Sequence, residues 1–229
     1  MIKCKLFSAI VIFLLSGCAS YYPQVVDIPL IKEKGDIRLN AGAFMAPNFE
    51  DAANLGGHVT YSHGVTNVLA VQGYGSLDFM LRIHLQGALG LYKGFENNSV
   101  IEMYGGYGFG TGGMWNVQMD FYQLAFAQFN LGKYNQGKAN IDYGLGLKGG
   151  YMYNDYSNYN NILNLPNIEK KYSWLIEPSV FFRIGGSRIK YNMTVNYFWA
   201  STIPEIYYFP ISVGMGVNFK FGNKKKNYY

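Results

Sequence analysis

The chain has 229 residues, a formal charge of +5, 17% aromatic residues and only 14% charged residues. This length suits one domain, and so few charges favour a membrane protein over a soluble one. After the first 17 positions, however, no continuous apolar run approaches the 18 or so residues of a membrane-spanning helix, which excludes a helical membrane protein. The basic residues form no face within the domain, because the main lysine run, at 224–226, lies in the C-terminal tail. This pattern excludes a nucleic-acid-binding surface.

The N-terminus has the pattern of a secretory signal. Lysines precede an apolar run at positions 6–17, which is too short to cross a membrane as a helix. The segment LSGC, which ends at Cys18, resembles the bacterial lipobox, in which cleavage precedes the cysteine and acyl chains such as palmitate are attached to it. We therefore predict a lipoprotein signal peptide at 1–17 and lipidation of Cys18; the alternative is an ordinary signal with a chance cysteine. Cleavage discards Cys4, so no thiol is left for a disulfide, a metal or catalysis.

The stretch after this cysteine reads ASYYPQVVDIPLIKEKG. It contains Pro23 and Pro29, which disfavour regular structure. We predict that residues 18–35 form a lipidated, extended N-terminal tether that carries the chain from the lipid to the first strand.

From Asp36 onward, hydropathy alternates with a period of two, which is typical of strands with one apolar face. Between positions 172 and 184, for example, large apolar side chains alternate with Ser173, Glu177 and Arg183. Further alternating runs occur at 36–46, 53–63, 67–77, 81–91, 98–110, 118–132, 141–151, 189–199 and 209–221. These are about ten strands of roughly 10–15 residues, longer than most globular strands and suited to a tilted membrane crossing.

The distribution of side-chain size separates a membrane barrel from a soluble sandwich. The apolar faces carry bulky residues, whereas the polar faces are rich in Gly, Ser, Asn and charges. A sandwich requires its bulky faces inside, whereas a membrane barrel turns them toward lipid. The sequence therefore predicts an all-β fold, an antiparallel transmembrane β-barrel of about ten strands over residues 36–222, with a closed up-and-down topology.

Connection lengths alternate along the predicted barrel. Short turns are expected at 63–66, 94–97, 133–136 and 185–188. The opposite end carries longer connections, above all 154–171, with a short hairpin near 77–79 as the exception. Short turns at one end and longer loops at the other are the outer-membrane pattern, which predicts a Gram-negative outer-membrane protein with both termini periplasmic. Residues 223–229 then form a basic periplasmic tail.

Two resemblances support this location. Residues 216–221 resemble the C-terminal signal read by the outer-membrane barrel assembly machinery, which implies that machinery as a partner and Gly216, Phe219 and Phe221 as the assembly signal. The other resemblance rests on Cys18, Tyr22-Pro23, Pro29-Leu30, Glu33–Asp36 and the run HLQGALGLY at 84–92. These features are similar to an uncharacterised Bacteroidota family of outer-membrane β-barrel lipoproteins. That resemblance implies the location and the fold, and it implies no activity.

Charged side chains also fall on the inward, polar phase of the strands. In a narrow lumen each must be paired or hydrated, because an isolated buried charge is unfavourable. Arg183 and Lys190 would repel across a short turn unless a carboxylate lies between them. Two interpretations stay open: a salt-bridged, closed interior that keeps the barrel rigid, or a narrow pore that selects small ions or solutes. The predicted lumen residues are Arg82, His84, Glu102, Asp142, Lys148, Glu177, Arg183 and Lys190.

Catalytic and metal chemistry have weak support in the sequence. His58, His63 and His84 lack the paired spacing of metal ligands, and we expect neither a metal nor another cofactor. A hydrolase would pair Ser76 with His84 and use Asp78 to orient the imidazole. No nucleophile motif surrounds Ser76, and a lumen-facing histidine is poorly placed to meet an acyl chain. We therefore expect no catalysis.

The longest loop is the candidate binding surface. The loop at 154–171 is rich in Asn and Tyr, and Tyr153, Tyr156 and Tyr159 are spaced through it. Such residues make adaptable contacts and stack on sugars, so a glycan or an envelope protein is an expected partner besides outer-membrane lipids. The sequence thus favours a structural or partner-binding role in the cell envelope. A small-solute or ion channel is the alternative, and an outer-membrane lipid acyl hydrolase is a distant one.

Overall fold

A computed structural model describes residues 25–46, 54–79, 81–112, 120–134, 140–154, 172–201 and 211–222. Within these ranges no helix has the length and hydropathy needed to span a membrane. The strands are β1 (Ile37–Ala46), β2 (Asn54–Gly64), β3 (Leu69–Asp78), β4 (Ile83–Gly94), β5 (Ser99–Gly112), β6 (Asp120–Tyr134), β7 (Ile141–Asn154), β8 (Tyr172–Gly185), β9 (Ile189–Tyr197), β10 (Trp199–Ala200) and β11 (Ile211–Phe221).

The strands form one closed antiparallel sheet. From β1 to β9 each strand pairs with the next, and β9 also pairs with β11. The sheet closes because β1 pairs with β11, where Ile37 faces Phe221 and Met45 faces Val213. β9 and β10 continue one another along β8 in a single register, and the ladder is interrupted at Tyr197 and Phe198. Counted in this way the barrel has ten strands. The predicted closed, up-and-down barrel is confirmed.

The period of two turns the bulky apolar side chains of each strand outward. On β8, for example, Ile176 and Val180 are largely exposed, whereas Glu177 and Ser179 are buried. Large apolar side chains are exposed in the same way on every long strand. A continuous apolar surface of this extent is the face that a membrane barrel presents to lipid.

The two ends of the barrel differ. At one end, here called the short-turn end, the chain reverses through 65–68, 95–98, 135–140 and 186–188. The opposite, long-loop end carries the connections 47–53, 113–119, 155–171 and 201–210, besides the tight reversal at 79–82. This is the predicted distribution of turns and loops. Aromatic rings stack outside the strands near the long-loop end, where Tyr151 and Tyr153 both contact Tyr172.

Residues 25–31 lie inside the barrel, and we call them the lumen segment. All seven are buried: Val25, Val26, Asp27, Ile28, Pro29, Leu30 and Ile31. A bend over 32–36 then joins the lumen segment to β1. Gly35 adopts a φ of 83°, a left-handed conformation that glycine tolerates best, and its N–H donates to the carbonyl of Gly64 at 2.8 Å. The sequence analysis did not predict this placement.

The apolar core lies within the lumen and includes the lumen segment. Ile28 and Leu30 pack with Val100, Tyr134 and Phe181 toward the short-turn end. Burial of each such aliphatic side chain contributes about 1.5–3 kcal/mol, so the segment stabilises the barrel that encloses it. Nearer the long-loop end, buried inward side chains include Leu124, Met152, Leu175 and Phe198.

Candidate functional site

The lumen, with the segment that fills it, is the candidate functional site. Val25 packs against Tyr74, which lies midway along β3. Lys32 lies at the short-turn end, where its Nζ donates to Asn98 Oδ1 at 3.0 Å. The lumen segment therefore runs from the middle of the barrel toward the short-turn end, antiparallel to β1.

Barrel side chains hydrogen-bond the main chain of the lumen segment. Their donor–acceptor distances lie between 2.5 and 3.5 Å. The pairs are Asn196 with the Val26 N–H, Gln72 and Gln128 with the Asp27 carbonyl, Arg183 with the Ile28 and Pro29 carbonyls, Arg38 with the Leu30 carbonyl, and Glu102 with the Ile31 N–H. These bonds satisfy peptide groups that the irregular segment cannot pair within itself.

Asp27 is the polar side chain that fixes the lumen segment to the wall. Its Oδ1 lies 3.3 Å from the Arg183 guanidinium and accepts a hydrogen bond from Asn40 Nδ2 at 3.0 Å. Asp27 and Arg183 are both buried, so neither charge has water as an alternative partner. The ion pair therefore holds the segment in one position along the lumen.

Glycines on the inner wall make room for the aliphatic side chains of the segment. A Cβ on Gly146 would lie 2.7 Å from Ile28 Cδ1, closer than carbon atoms can approach. A Cβ on Gly132 would collide with Leu30 in the same way. Because these positions lack side chains, the lumen holds a second layer of chain instead of a continuous polar lining.

The structure places all eight predicted lumen residues inward, with at most 8% of each exposed. Lys148 Nζ lies 3.2 Å from Glu177 Oε2 on the neighbouring strand, and Lys190 Nζ lies 2.5 Å from Asp142 Oδ1. Asp142 also faces Arg183 directly in the β7–β8 register. It is thus a carboxylate between Arg183 and Lys190, where the sequence analysis required one.

Two further members of that predicted set have other partners. Arg82 Nε lies 2.6 Å from Asp78 Oδ2 across the reversal at 79–82. Glu102 accepts hydrogen bonds from the Ile31 N–H at 2.6 Å and from Asn130 Nδ2 at 3.0 Å. The predicted charges therefore belong partly to the barrel wall and partly to the contact with the lumen segment.

His84 belongs to a polar network in the half of the lumen nearer the long-loop end. The Tyr122 hydroxyl lies 2.6 Å from His84 Nδ1, and Gln86 Oε1 lies 3.3 Å from His84 Nε2. Gln86 Oε1 also accepts from Lys148 Nζ at 3.1 Å. Ser76 faces His84 in the β3–β4 register, and both imidazole nitrogens lie within hydrogen-bonding distance of these other partners.

The remaining predicted site residues lie elsewhere. Four of the predicted features lie outside the described residues: Cys18, Tyr156, Tyr159 and the tail at 223–229. The ring of Tyr153 contacts that of Tyr172 near the long-loop end, at a tilt of 48°. Gly216, Phe219 and Phe221 all lie in β11 and pair with β1 in the closing ladder. Among the described residues, no cluster of His, Cys, Asp and Glu could hold a metal ion.

Comparisons with known proteins add little to this geometry. The chain matches no protein-family model and no curated protein. One similar solved structure comes from the de novo design of transmembrane β-barrels, with 10% identity, a TM-score of 0.35 and coverage of 83% of this chain and 100% of that one. Another is Ail, the attachment invasion locus protein of Yersinia pestis, with 9% identity, a TM-score of 0.27 and coverage of 82% and 99%. At these values neither informs the function, and the fold rests on the strand pairing itself.

Sequence reasoning missed the lumen residues that hold the segment. Asn40, Gln72 and Gln128 lie on the inward phase of their strands, yet an inward amide does not reveal whether it meets water or a peptide. The stretch VVDIPLI did carry a signal: it is almost wholly apolar, whereas a solvated tether is usually polar. The apolar composition of the stretch indicated burial, whereas its proline, Pro29, indicated a linker.

Proposed function

We propose that the protein is an outer-membrane lipoprotein barrel with a structural or partner-binding role, and that its lumen is closed to solutes. The apolar outer face supports a membrane location, because side chains such as Leu89 and Val180 would otherwise meet water. The lipobox at Cys18 supports acylation, and the alternation of short turns with long loops supports an outer membrane with the long loops outside.

The main support for a closed lumen is the position of the lumen segment, which fills the space through which solutes would pass. Its residues are buried, and barrel side chains bind its main chain from several strands. Several of the charges that a pore would present to ions are paired within the wall, as in the Lys148–Glu177 and Lys190–Asp142 pairs. A rigid, filled barrel suits a scaffold or a binding partner better than a conduit.

A non-catalytic role is part of the proposal. It is supported by the contacts of His84, whose imidazole is engaged by the Tyr122 hydroxyl and by Gln86 Oε1. Partner binding is assigned to the loop at 154–171, as the sequence analysis predicted from its Asn and Tyr content. Glycans and envelope proteins are the classes of ligand that such a loop recognises.

Conductance of the refolded mature protein in planar bilayers tests the closed lumen. We expect no discrete openings from the wild-type chain. A variant that lacks residues 19–31 should give openings, because its lumen loses the segment but keeps the charged wall. Discrete openings from the wild type, with an ion selectivity that changes in Lys148→Glu, would contradict the closed lumen and make the protein a channel.

A further inference from the structure

The direction of the lumen segment has a topological consequence. The chain passes Val25 at the middle of the barrel, reaches Lys32 at the short-turn end and then turns into β1. Read backward from Val25, the chain therefore points toward the long-loop end. A tether held at the periplasmic surface would instead approach β1 from the short-turn end, where β1 begins.

The half of the lumen between Val25 and the short-turn end is filled with buried side chains. In this half, the lumen contains the segment itself, whose Ile28, Leu30 and Ile31 are all buried. The surrounding wall contributes large inward side chains that are also buried, namely Arg38, Tyr92, Tyr104, Tyr134, Phe181 and Arg183. A second strand of chain passing the same level would displace these packed groups.

The buried imidazole of His58, which lies beside the aromatic residues that contact Val25, gives independent support for this direction. Its imidazole stacks on Tyr74 at a centroid distance of 6.1 Å and lies 6.4 Å from the ring of Phe44, the two aromatic residues that pack with Val25. The side chain is buried, yet within the described part of the chain neither ring nitrogen has a hydrogen-bond partner. A buried polar group needs a partner, and a peptide chain that continues past Val25 supplies both N–H and carbonyl groups.

The distance from the lumen to the long-loop mouth is within reach of the predicted lipid anchor. Gln128 of β6 binds the Asp27 carbonyl, and β6 continues for eight residues beyond it to Asp120. At 3.3 Å per residue and a tilt of about 40°, these residues rise by about 20 Å. Cys18 lies nine positions before Asp27, and nine extended residues span about 30 Å.

We propose that the chain preceding Val25 leaves the barrel through the long-loop mouth, so that the acyl chains on Cys18 enter the outer leaflet of the membrane. This inference rests on the membrane location and the acylation in the proposed function. It opposes the sequence-based prediction that both termini are periplasmic, and it leaves the C-terminus, which follows β11 at the short-turn end, on the periplasmic side. The lipid then anchors the outer mouth beside the long loops.

An epitope tag inserted between Ser20 and Tyr21 tests the proposal in intact cells. We expect antibody labelling of intact cells to equal that of permeabilised cells, whereas a tag after Tyr229 should be labelled only after permeabilisation. The same N-terminal tag is placed in a Val25→Cys, Gly214→Cys variant. A Cβ on Gly214 would lie 3.6 Å from Val25 Cβ, which suits a disulfide that locks the segment in the lumen.

The locked variant separates the possible outcomes. Labelling that persists in the disulfide-bonded protein supports the exit through the long-loop mouth, because the segment cannot have been pulled out. A tag that is hidden until permeabilisation, in a protein that forms the disulfide, overturns the inference. Failure of the disulfide to form, when it is compared with a Val25→Cys, Gly73→Cys control on the outer face, overturns it as well, since Val25 would not lie at Gly214. Conductance remains a separate test of the closed lumen.

Discussion

Arg183 joins the barrel wall to the lumen segment through one planar group. Its guanidinium contacts the Asp27 carboxylate, the Ile28 carbonyl and Asn192 Oδ1, and the side chain is completely buried. A forked group with several donors can meet these acceptors together, which a lysine ammonium at the end of a flexible stem does less well. The residue therefore both neutralises Asp27 and fixes the path of the main chain.

Arg183→Met should lower the free energy of unfolding by about 3–5 kcal/mol, because it leaves the Asp27 carboxylate buried without its counter-charge. Urea titration of the protein folded in lipid vesicles measures the change. Arg188→Met is the matched control, since Arg188 is exposed in the turn at 186–188, and it should stay within about 0.5 kcal/mol of the wild type. Equal stability of the two variants would contradict a structural role for the Asp27–Arg183 pair.

The inward position of the lumen charges could be predicted from the sequence, but their partners could not. A period of two places Lys148, Glu177 and Arg183 on the polar face whatever the register. Which carboxylate meets which cation depends on how far one strand slides along the next. The register that sets Lys148 opposite Glu177 emerges only when the whole sheet closes.

At the scale of the element, β5 shows how a strand can carry adjacent glycines for different reasons. Gly106 points inward, where a Cβ would lie 2.5 Å from the Gly87 carbonyl oxygen and 2.5 Å from Phe126 Cζ. Gly105 points outward, and a Cβ there would meet no atom within 4 Å, so lipid alone would contact a side chain at this position. The inner glycine permits close packing, whereas the outer one only weakens the strand.

Gly106→Ala should destabilise the barrel by about 1–3 kcal/mol, because backbone atoms of β4 would have to move to admit the methyl group. Gly105→Ala, one residue away on the same strand, should be neutral or stabilising by up to about 1 kcal/mol, since alanine restricts the unfolded chain. Unfolding midpoints of the two variants, measured side by side in vesicles, provide the comparison. The interpretation of the inner face fails if Gly106→Ala is the more stable of the two.

The lumen segment is the element that sequence reasoning could not place. Strands are recognised by their alternation, but an irregular segment inside a barrel has no period. Its Pro29, together with Pro23 just before the segment, is typical of a linker. Its main chain is bound by side chains from β1, β3, β5, β6, β8 and β9, which lie far apart in the sequence. Only the closed barrel brings those strands together around it.

At the scale of the whole molecule, the sequence predicted the barrel because every strand repeats the same signal. Bulky apolar residues on one phase and small or charged residues on the other indicate which face meets lipid, and alternating connection lengths indicate an up-and-down topology. A sheet that spans a membrane must also close into a barrel, because a bilayer does not tolerate an open sheet edge. The closure between β1 and β11 follows from that requirement and is observed.

A charge on the outer face should destabilise the barrel according to its depth in the membrane. Val180 lies midway along β8 and is 54% exposed, whereas Ile184 lies near the short-turn end of the same strand and is 46% exposed. Val180→Arg should lower the free energy of unfolding in vesicles by about 2–4 kcal/mol, and Ile184→Arg by about 0–1 kcal/mol. Tryptophan fluorescence during urea titration measures both. Equal losses would argue against a membrane belt centred on Val180.

The bend at 32–36 joins the lumen segment covalently to β1, so binding of the segment to the lumen wall is intramolecular. A short connection of this kind gives the lumen segment an effective concentration in the millimolar range at its own binding surface. A free peptide with the sequence of the segment would need a comparable concentration to compete for the same wall, although it would make the same contacts. The lumen segment thus competes with any other ligand for the lumen wall. A foreign molecule binds beside Arg183 only if it displaces a segment that stays covalently attached to the barrel.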